Sequence, residues 1–247
     1  MNQSNFEAAC QKIIGMSRER SQIGTLGEKT VHAVLKNYLE PDEAYHEVKV
    51  HGYYADIANA KHITEIQTRS FNAMRDKLKV FLPEYEVTIV HPIPYHKWIC
   101  WIDEETGEVS KRRKSPKVGT AHMIFPELYR IKEYLTHPNL RIHIIMLDME
   151  EYRLLNGWSH DRKKGSSRYD RIPLRIEQEL YIAGREGYEL LLPDSLGENF
   201  TTRDYKDKSH ISISNARKGL HLMNYVQVVE KIGKEGRLYL YQRCQHP

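Results

Sequence analysis

Tyr53-Tyr54-Ala55-Asp56-Ile57-Ala58-Asn59 and Ile63-Thr64-Glu65-Ile66-Gln67 are two short strand-like runs separated by the turn residues Asn59-Ala60-Lys61. Successive side chains on a strand point to opposite faces. Asp56 therefore shares a face with Tyr54 and Ala58, while Glu65 and Gln67 share one with Ile63. Adjacent strands bring Asp56, Glu65 and Gln67 together on one face. Upstream, residues 22–39 read as a helix, with Val31, Val34, Leu35 and Tyr38 at helical spacing and Pro41-Asp42 closing it. Glu28 precedes Val31 by three residues and Leu35 by seven, so it projects from the apolar stripe, and Gly24 and Gly27 permit close backbone approach beside it. Packed on that face, this helix adds Glu28 to the group. Downstream, Ser70 can cap a second helix whose apolar positions Phe71, Met74, Leu78, Phe81 and Leu82 precede Pro83, and residues 87–90 form a further apolar strand. With residues 45–50 also strand-like, across the His51-Gly52 turn, the order is helix, three strands, helix, strand. That order gives an α/β fold, a mixed sheet flanked by helices.

Carboxylates that converge cannot all stay ionised without a cation, because repulsion and desolvation push a proton onto at least one of them. A hard divalent ion resolves the conflict. Mg²⁺ takes one or two carboxylates, a carbonyl and several waters, and at a phosphodiester it orients a water and neutralises charge on the phosphate.

At Gly24-Thr25-Leu26-Gly27-Glu28, Ala55-Asp56-Ile57 and Thr64-Glu65-Ile66-Gln67-Thr68, followed by the helix at Ser70, the sequence resembles the PD-(D/E)xK nuclease superfamily, most closely its Holliday-junction-resolvase-like and competence-nuclease-like branches. The resemblance spans about residues 22–94. It implies a restriction-endonuclease-like fold and a Mg²⁺ or Mn²⁺ site made by Asp56, Glu65 and the Ile66 carbonyl, with Glu28 as a further ligand or water-holder. One position departs from the pattern. Gln67 stands where the superfamily has lysine; it can orient a water but carries no charge and cannot act as a base. Some members resemble this chain in having Gln there. Lys77 on the adjoining helix either replaces the missing charge or is a surface lysine. The nuclease fold could also be catalytically silent and serve as a binding scaffold.

Charge is unevenly distributed. The whole chain carries +4, residues 1–100 carry twelve basic and twelve acidic side chains, and residues 201–247 carry nine against four. A polyanionic partner, DNA, fits the C-terminal fifth. There Thr201 can cap a short helix, Ser212 or Ser214 a second, and strands 226–232 and 237–242 surround Gly233-Lys234-Glu235-Gly236. Helix, turn, helix, hairpin is the order of a winged helix, which residues 187–243 resemble. In that architecture the second helix, here Ser214-Asn215-Ala216-Arg217-Lys218-Gly219-Leu220-His221, enters the major groove and the hairpin touches backbone. Asn215, Arg217 and Lys218 suit base edges or phosphates, and Lys234 and Arg237 suit the wing. Many winged helices make only protein contacts, which is the competing reading. Between the two ends, residues 97–102 and 108–110 read as a hairpin, 125–135 as helix and 141–147 as extended. The Gly-, Ser- and base-rich run Asp161-Arg162-Lys163-Lys164-Gly165-Ser166-Ser167-Arg168 marks a boundary, either a flexible linker or a loop ordered by phosphate. The expected organisation is a nuclease-like domain over 1–155, a basic connector over 156–186 and a winged-helix domain over 187–247.

The 247 residues, 40% hydrophobic and 28% charged, exclude a disordered or collagen-like chain. No apolar run reaches the length of a membrane helix and no secretory leader opens the sequence, so a cytoplasmic protein is expected. Cys10, Cys100 and Cys244 are too few and too scattered for a disulfide framework or a zinc site. The thirteen histidines include no His-Glu-x-x-His pattern, although His91 and His96 could line the edge of the site. Phosphate-binding glycine loops and Gly-x-Ser-x-Gly are absent. Trp98, Trp101 and Trp158 could stack on unpaired bases or pack in cores. The sequence thus points to a metal-dependent DNA endonuclease, with a catalytically inactive DNA-binding regulator or adaptor as the alternative and an RNA-processing nuclease as a further one. Two-strand cutting is often shared between two copies of a chain, which leaves a homodimer open, although no interface signature stands in the sequence.

Overall fold

The computed structural model describes residues 2–19, 30–156 and 167–244. The chain forms two compact units, each assembled from three separate segments: Met1–His46, Pro92–Thr120 and Ile145–Glu179 in the first, and Glu47–His91, Ala121–Ile144 and Leu180–Pro247 in the second. Strands run through a seven-stranded sheet of order β1-β2-β3-β4-β6-β7, with β5 paired to β4, where β1 is His46–Val50, β2 Tyr53–Ala58, β3 His62–Ile66, β4 Glu86–Ile102, β5 Arg113–Lys114, β6 Leu140–Leu154 and β7 Ser167–Ala183. The β2–β3 pair is antiparallel and the β3–β4 pair parallel, so the expected mixed sheet flanked by helices is present.

In the first unit, helices α1 (Gln3–Glu19) and α2 (Thr30–Leu39) pack through Phe6 and Tyr38, whose rings meet edge-on at 5.5 Å, and through a 2.7 Å hydrogen bond from Lys12 Nζ to Asn37 Oδ1. Asp170 on β7 receives the amide and the hydroxyl of Thr30, which satisfies an orphan donor at the start of α2. Within β4, Pro92 and Pro94 look like a stop, yet the strand continues to Ile102. They fall between the last bond to the β3 side, Gln67 N to Val90 O, and the first bond from the returning chain, Gly119 N to Tyr95 O, where no ladder donor is required on that edge. Gly119 is obligatory beside them, because a Cβ there would lie 1.9 Å from the Pro94 carbonyl oxygen. Trp98 faces Lys114 and Ile102 faces Val109, which is the hairpin expected from residues 97–110. The stretch read as a connector, 156–186, contains β7, whose alternation of charged and apolar residues hides a 17-residue strand.

The second unit holds β1, β2, β3 and the start of β4. His51 and Gly52 both have positive φ, 48° and 86°, as the two-residue turn between β1 and β2 requires. The crossover from β3 to β4 begins with Ser70, whose hydroxyl accepts from Asn72 N, and runs through a 3-10 turn into α3 (Arg75–Phe81). Phe71, Met74, Leu78, Phe81 and Leu82 are all buried, as their spacing dictates. The same unit contains α4 (Phe125–Leu128), a 3-10 turn over Tyr129–Tyr134, α5 (Gly184–Glu189), β8 (Asn199–Thr201), α6 (Thr202–Lys208), α7 (Ile213–Tyr225), β9 (Val229–Glu235) and β10 (Leu238–Arg243). The last three strands form a separate antiparallel sheet of order β8-β10-β9. Thr201 caps α6 with a complete capping box to Asp204, and Ser212 caps α7, matching the expected helix starts. Gly219 brings α7 against α4: a Cβ there would lie 2.5 Å from the Phe125 ring.

Candidate functional site

The paired strands β2 and β3 position the carboxylates. Their register couples Ile57 with Thr64 and Ala58 with Ile63, the residues next to Asp56 and Glu65 in the chain. Cross-strand partners on one face lie within side-chain reach. Glu65 is 3% exposed, and a buried carboxylate needs compensation. It receives it from Lys77 on α3, whose Nζ donates to both Glu65 oxygens at 2.8 Å and to the Tyr54 carbonyl oxygen at 2.6 Å. Asp56 Oδ2 accepts from the Ile66 amide at 2.7 Å, so the carboxylate rests against the peptide that follows Glu65. The Lys77 ammonium thus lies on Glu65, and its side chain is 23% exposed.

Gln67 behaves differently from the expectation. β3 ends at Ile66, and beyond the strand the alternation of faces no longer holds. The Gln67 side-chain oxygen instead accepts from Arg69 N at 3.3 Å, closing the turn toward Ser70, while its backbone carbonyl receives His91 Nδ1 at 2.6 Å. His91 also meets the Phe71 ring edge-on at 5.1 Å. It thus lies against the end of β3, whereas His96 belongs to the first unit, where it pairs with Asp148 at 2.9 Å. Glu28, with Gly24 and Gly27, lies outside the described residues, as do Trp158 and most of the basic run after Asp161.

Asp56, Glu65 and Lys77 together sum to one negative charge. Their oxygens are the donor type that Mg²⁺ or Mn²⁺ prefers, and Mg²⁺ commonly uses only one or two carboxylates. Among the described residues no group of three His, Cys, Asp or Glu side chains that could hold a metal ion converges.

Of the five residues proposed to touch DNA, four are exposed and one is not available. Arg217 and Lys218 lie on the outer face of α7, opposite the buried Ala216, Gly219, Leu220 and Met223, and Lys234 and Arg237 are exposed on the β9–β10 hairpin. The turn of that hairpin is Gly236-Arg237, with Gly236 at φ 58°, and Gly233 belongs to β9. Asn215 is a tether: its Nδ2 donates to the His122 carbonyl oxygen at 3.2 Å. Sequence reading missed the neighbours of the exposed face. Lys132 Nζ lies 3.1 Å from His221 Nε2 and 4.4 Å over the Tyr225 ring, and Tyr129 stands beside His221. Burial and then the Lys132 charge hold the His221 imidazole below its ordinary range, so it stays neutral near pH 7. Only the order of elements, a helical turn packing on α7, could have signalled this group.

A second concentration of charge lies in the first unit. Glu151, 1% exposed, is met by Arg153 Nε at 2.7 Å, Lys97 Nζ at 3.3 Å and Arg168 Nε at 3.4 Å. Burial works to raise its carboxyl, but the charges of Lys97, Arg168 and Arg153 outweigh burial and hold it below the usual range. Burial pulls the Lys97 ammonium down against the pull of Glu151. The three thiols are raised, Cys10 to about 12 by burial and Glu7, and Cys100 and Cys244 by burial first, which disfavours the reactive thiolate.

Residues 29–183 match the model of a family described as Domain of unknown function (DUF8091). The match takes in Asp56, Glu65, Gln67 and Lys77, and it ends before α5. An uncharacterized protein of Treponema pallidum (strain Nichols) is 27% identical over 234 residues, covering 90% of this chain and 87% of that protein. No solved structure matches the chain. No helix among the described residues is long and apolar enough to cross a membrane.

Proposed function

The chain belongs to the DUF8091 family, and we propose that it is a metal-dependent DNA endonuclease of the PD-(D/E)xK type. The observation that carries this reading is the contact of Lys77 Nζ with both oxygens of Glu65, on the strand paired with that of Asp56. Asp, Glu and an ammonium in one group is the chemistry that the sequence motif lacked at Gln67. Here the lysine comes from the helix after β3 instead of from β3 itself.

A divalent cation, Mg²⁺ or Mn²⁺, would be held by Asp56, Glu65 and the Ile66 carbonyl and would supply phosphate polarisation and a bound water of lowered pKa. The chain's own groups do the rest. Lys77 carries the positive charge that offsets charge developing on the phosphate. Its bond to the Tyr54 carbonyl fixes the ammonium in place before substrate arrives. Gln67 is engaged in its own turn, which gives it the role of shaping the end of β3 and not of holding water. Substrate binding is assigned to the C-terminal segment, whose α6–α7 pair and β8-β10-β9 sheet resemble a winged helix. Arg217 and Lys218 would meet the DNA on α7, with Lys234 and Arg237 on the wing. Asn215 is withdrawn from that set.

One observation favours a second reading, the silent scaffold: both Glu65 oxygens already accept from Lys77. Cleavage of labelled duplex, single-stranded and four-way-junction DNA in Mg²⁺ and in Mn²⁺ decides between them. The nuclease reading expects metal-dependent products, lost in Asp56→Ala and in Glu65→Ala and reduced at least a hundredfold in Lys77→Met. Binding without cleavage by the wild-type protein overturns it in favour of the scaffold. Matching RNA substrates separate an RNA-processing enzyme, since the 2′-hydroxyl is the distinguishing group.

A further inference from the structure

We infer that the basic edge formed by residues 111–117 is a second nucleic-acid contact, one that holds phosphate backbone without reading sequence. The choice of nucleic acid over an acidic protein rests on the nuclease reading; the surface itself is independent of it.

Lys111, Arg112, Arg113, Lys114 and Lys117 are all exposed, and no acidic residue interrupts them. The backbone beneath them is fixed. Ser110 N donates to Trp101 O at 2.8 Å, Ser115 N to Lys97 O at 2.7 Å, and β5 pairs with β4 through Arg113 and Lys114. Two of the cations are also ordered, since Arg112 and Lys114 both lie over the Trp98 ring, at 5.7 and 5.4 Å from its centre. A cation over an indole face is attracted by the ring quadrupole, so its charge is held near one place and less side-chain entropy remains to be lost on binding. Arg112 is partly neutralised by Glu150 at 2.9 Å. Among the described residues, Lys111, Arg113, Lys114 and Lys117 have no carboxylate partner. Four cations are therefore left for an external anion.

The same hairpin bears Asp103, Glu104, Glu105 and Glu108 at its turn. Four residues of strand, roughly 13 Å, separate the Ile102–Val109 bridge from the Trp98–Lys114 pair. That exceeds the screening length of about 8 Å at physiological salt, so the acidic turn does not cancel the edge at Lys114 and beyond, whereas Lys111, three residues from Glu108, lies nearer to it. Lysines on an edge strand also discourage unwanted pairing. That role accounts for Arg113 and Lys114 in β5, and it leaves Lys111 and Lys117, which lie outside the strand, unexplained.

The test is fluorescence anisotropy of labelled single-stranded and duplex DNA with the full chain, in EDTA so that nothing is cut. Arg113→Ser/Lys114→Ser/Lys117→Ser is expected to weaken DNA binding roughly a hundredfold at 0.1 M salt and to lower the slope of log K against log salt by two to three. Lys111→Ser/Lys117→Ser, outside β5, loses about tenfold and guards against misfolding of the first variant. Unchanged affinity and slope in both variants overturns the proposal, as does aggregation of the first with binding intact, which is the edge-protection outcome. Tighter binding of polyglutamate than of DNA at equal charge also overturns it, in favour of an acidic protein. If the nuclease reading fails, cleavage is absent while the hairpin variants still lose DNA binding, so the two failures are distinguishable.

Discussion

Removing the Lys77 ammonium leaves Glu65 charged on a side chain only 4% exposed, with Asp56 on the next strand. Breaking one side of a fully buried ion pair costs about 3–5 kcal/mol. The lysine side chain is 23% exposed, so solvent screens part of the interaction and the cost of Lys77→Met falls to about 2–3 kcal/mol. For a chain of this size, 1 kcal/mol corresponds to about 2–4 °C, so Tm drops by roughly 4–12 °C. Glu65→Gln costs less, about 1 kcal/mol, because the neutral amide can still accept from Nζ. The informative variant is Glu65→Gln/Lys77→Met. With the charge gone from both positions, it should be more stable than Lys77→Met alone, giving a coupling energy of about 2 kcal/mol in a double-mutant cycle. Urea unfolding followed by tryptophan emission supplies the free energies. A Lys77→Met cost below about 0.5 kcal/mol, or an additive cycle, refutes the assignment of Lys77 to Glu65.

Three further outcomes follow from particular groups. Glu151 is held below the ordinary carboxylate range, so it contributes stability above the unfolded glutamate value of about 4.3, lost as the pH falls below it; Glu151→Gln should flatten the acid limb of a stability–pH curve. Native protein should react slowly with a thiol-specific disulfide reagent at pH 8 and release three equivalents after denaturation; rapid reaction of Cys10 in the native state would contradict its raised thiol. Gly219→Ala forces a methyl into the Phe125 ring and should cost about 1–3 kcal/mol by overpacking, measured by thermal unfolding, whereas a neutral result would mean that α7 and α4 separate easily.

Where local pattern and tertiary environment agree, the residues announce their own positions. The turn at His51-Gly52, the alternation in β2 and β3, the apolar stripe from Phe71 to Leu82 and the caps Thr201 and Ser212 all depend on neighbours within a few residues. The approach of Asp56 to the end of β3 was legible for the same reason. Other features depend on distant partners. The passage of β4 through Pro92 and Pro94 is tolerated only because of what is missing at that edge, and β7 carries so much charge, from Arg168 to Glu179, that its strand character disappears into composition. α1 was not anticipated at all; among its described side chains Phe6 and Ala9 are buried, too few to make a stripe. Lys77 sits twelve residues beyond Glu65, and only the return of α3 across β3 makes the two meet. Asn215 looked like a base-reading group because nothing local reveals that His122, 93 residues earlier, offers it a carbonyl.

The way the two units divide the chain also sets when they can fold. Each is built from three segments, and the first is complete only when Glu179 has been made, the second only near the C-terminus. A ribosome working at about 5–20 residues per second therefore releases most of the chain before either hydrophobic core can close. The strand edge that waits is that of β4, whose second neighbour, β6, is made only from Leu140 onward, and it is exposed to pairing with the wrong partner throughout that interval. Nor can either unit be excised or exchanged by a single cut in the gene. The pair must be inherited, and expressed, as one piece.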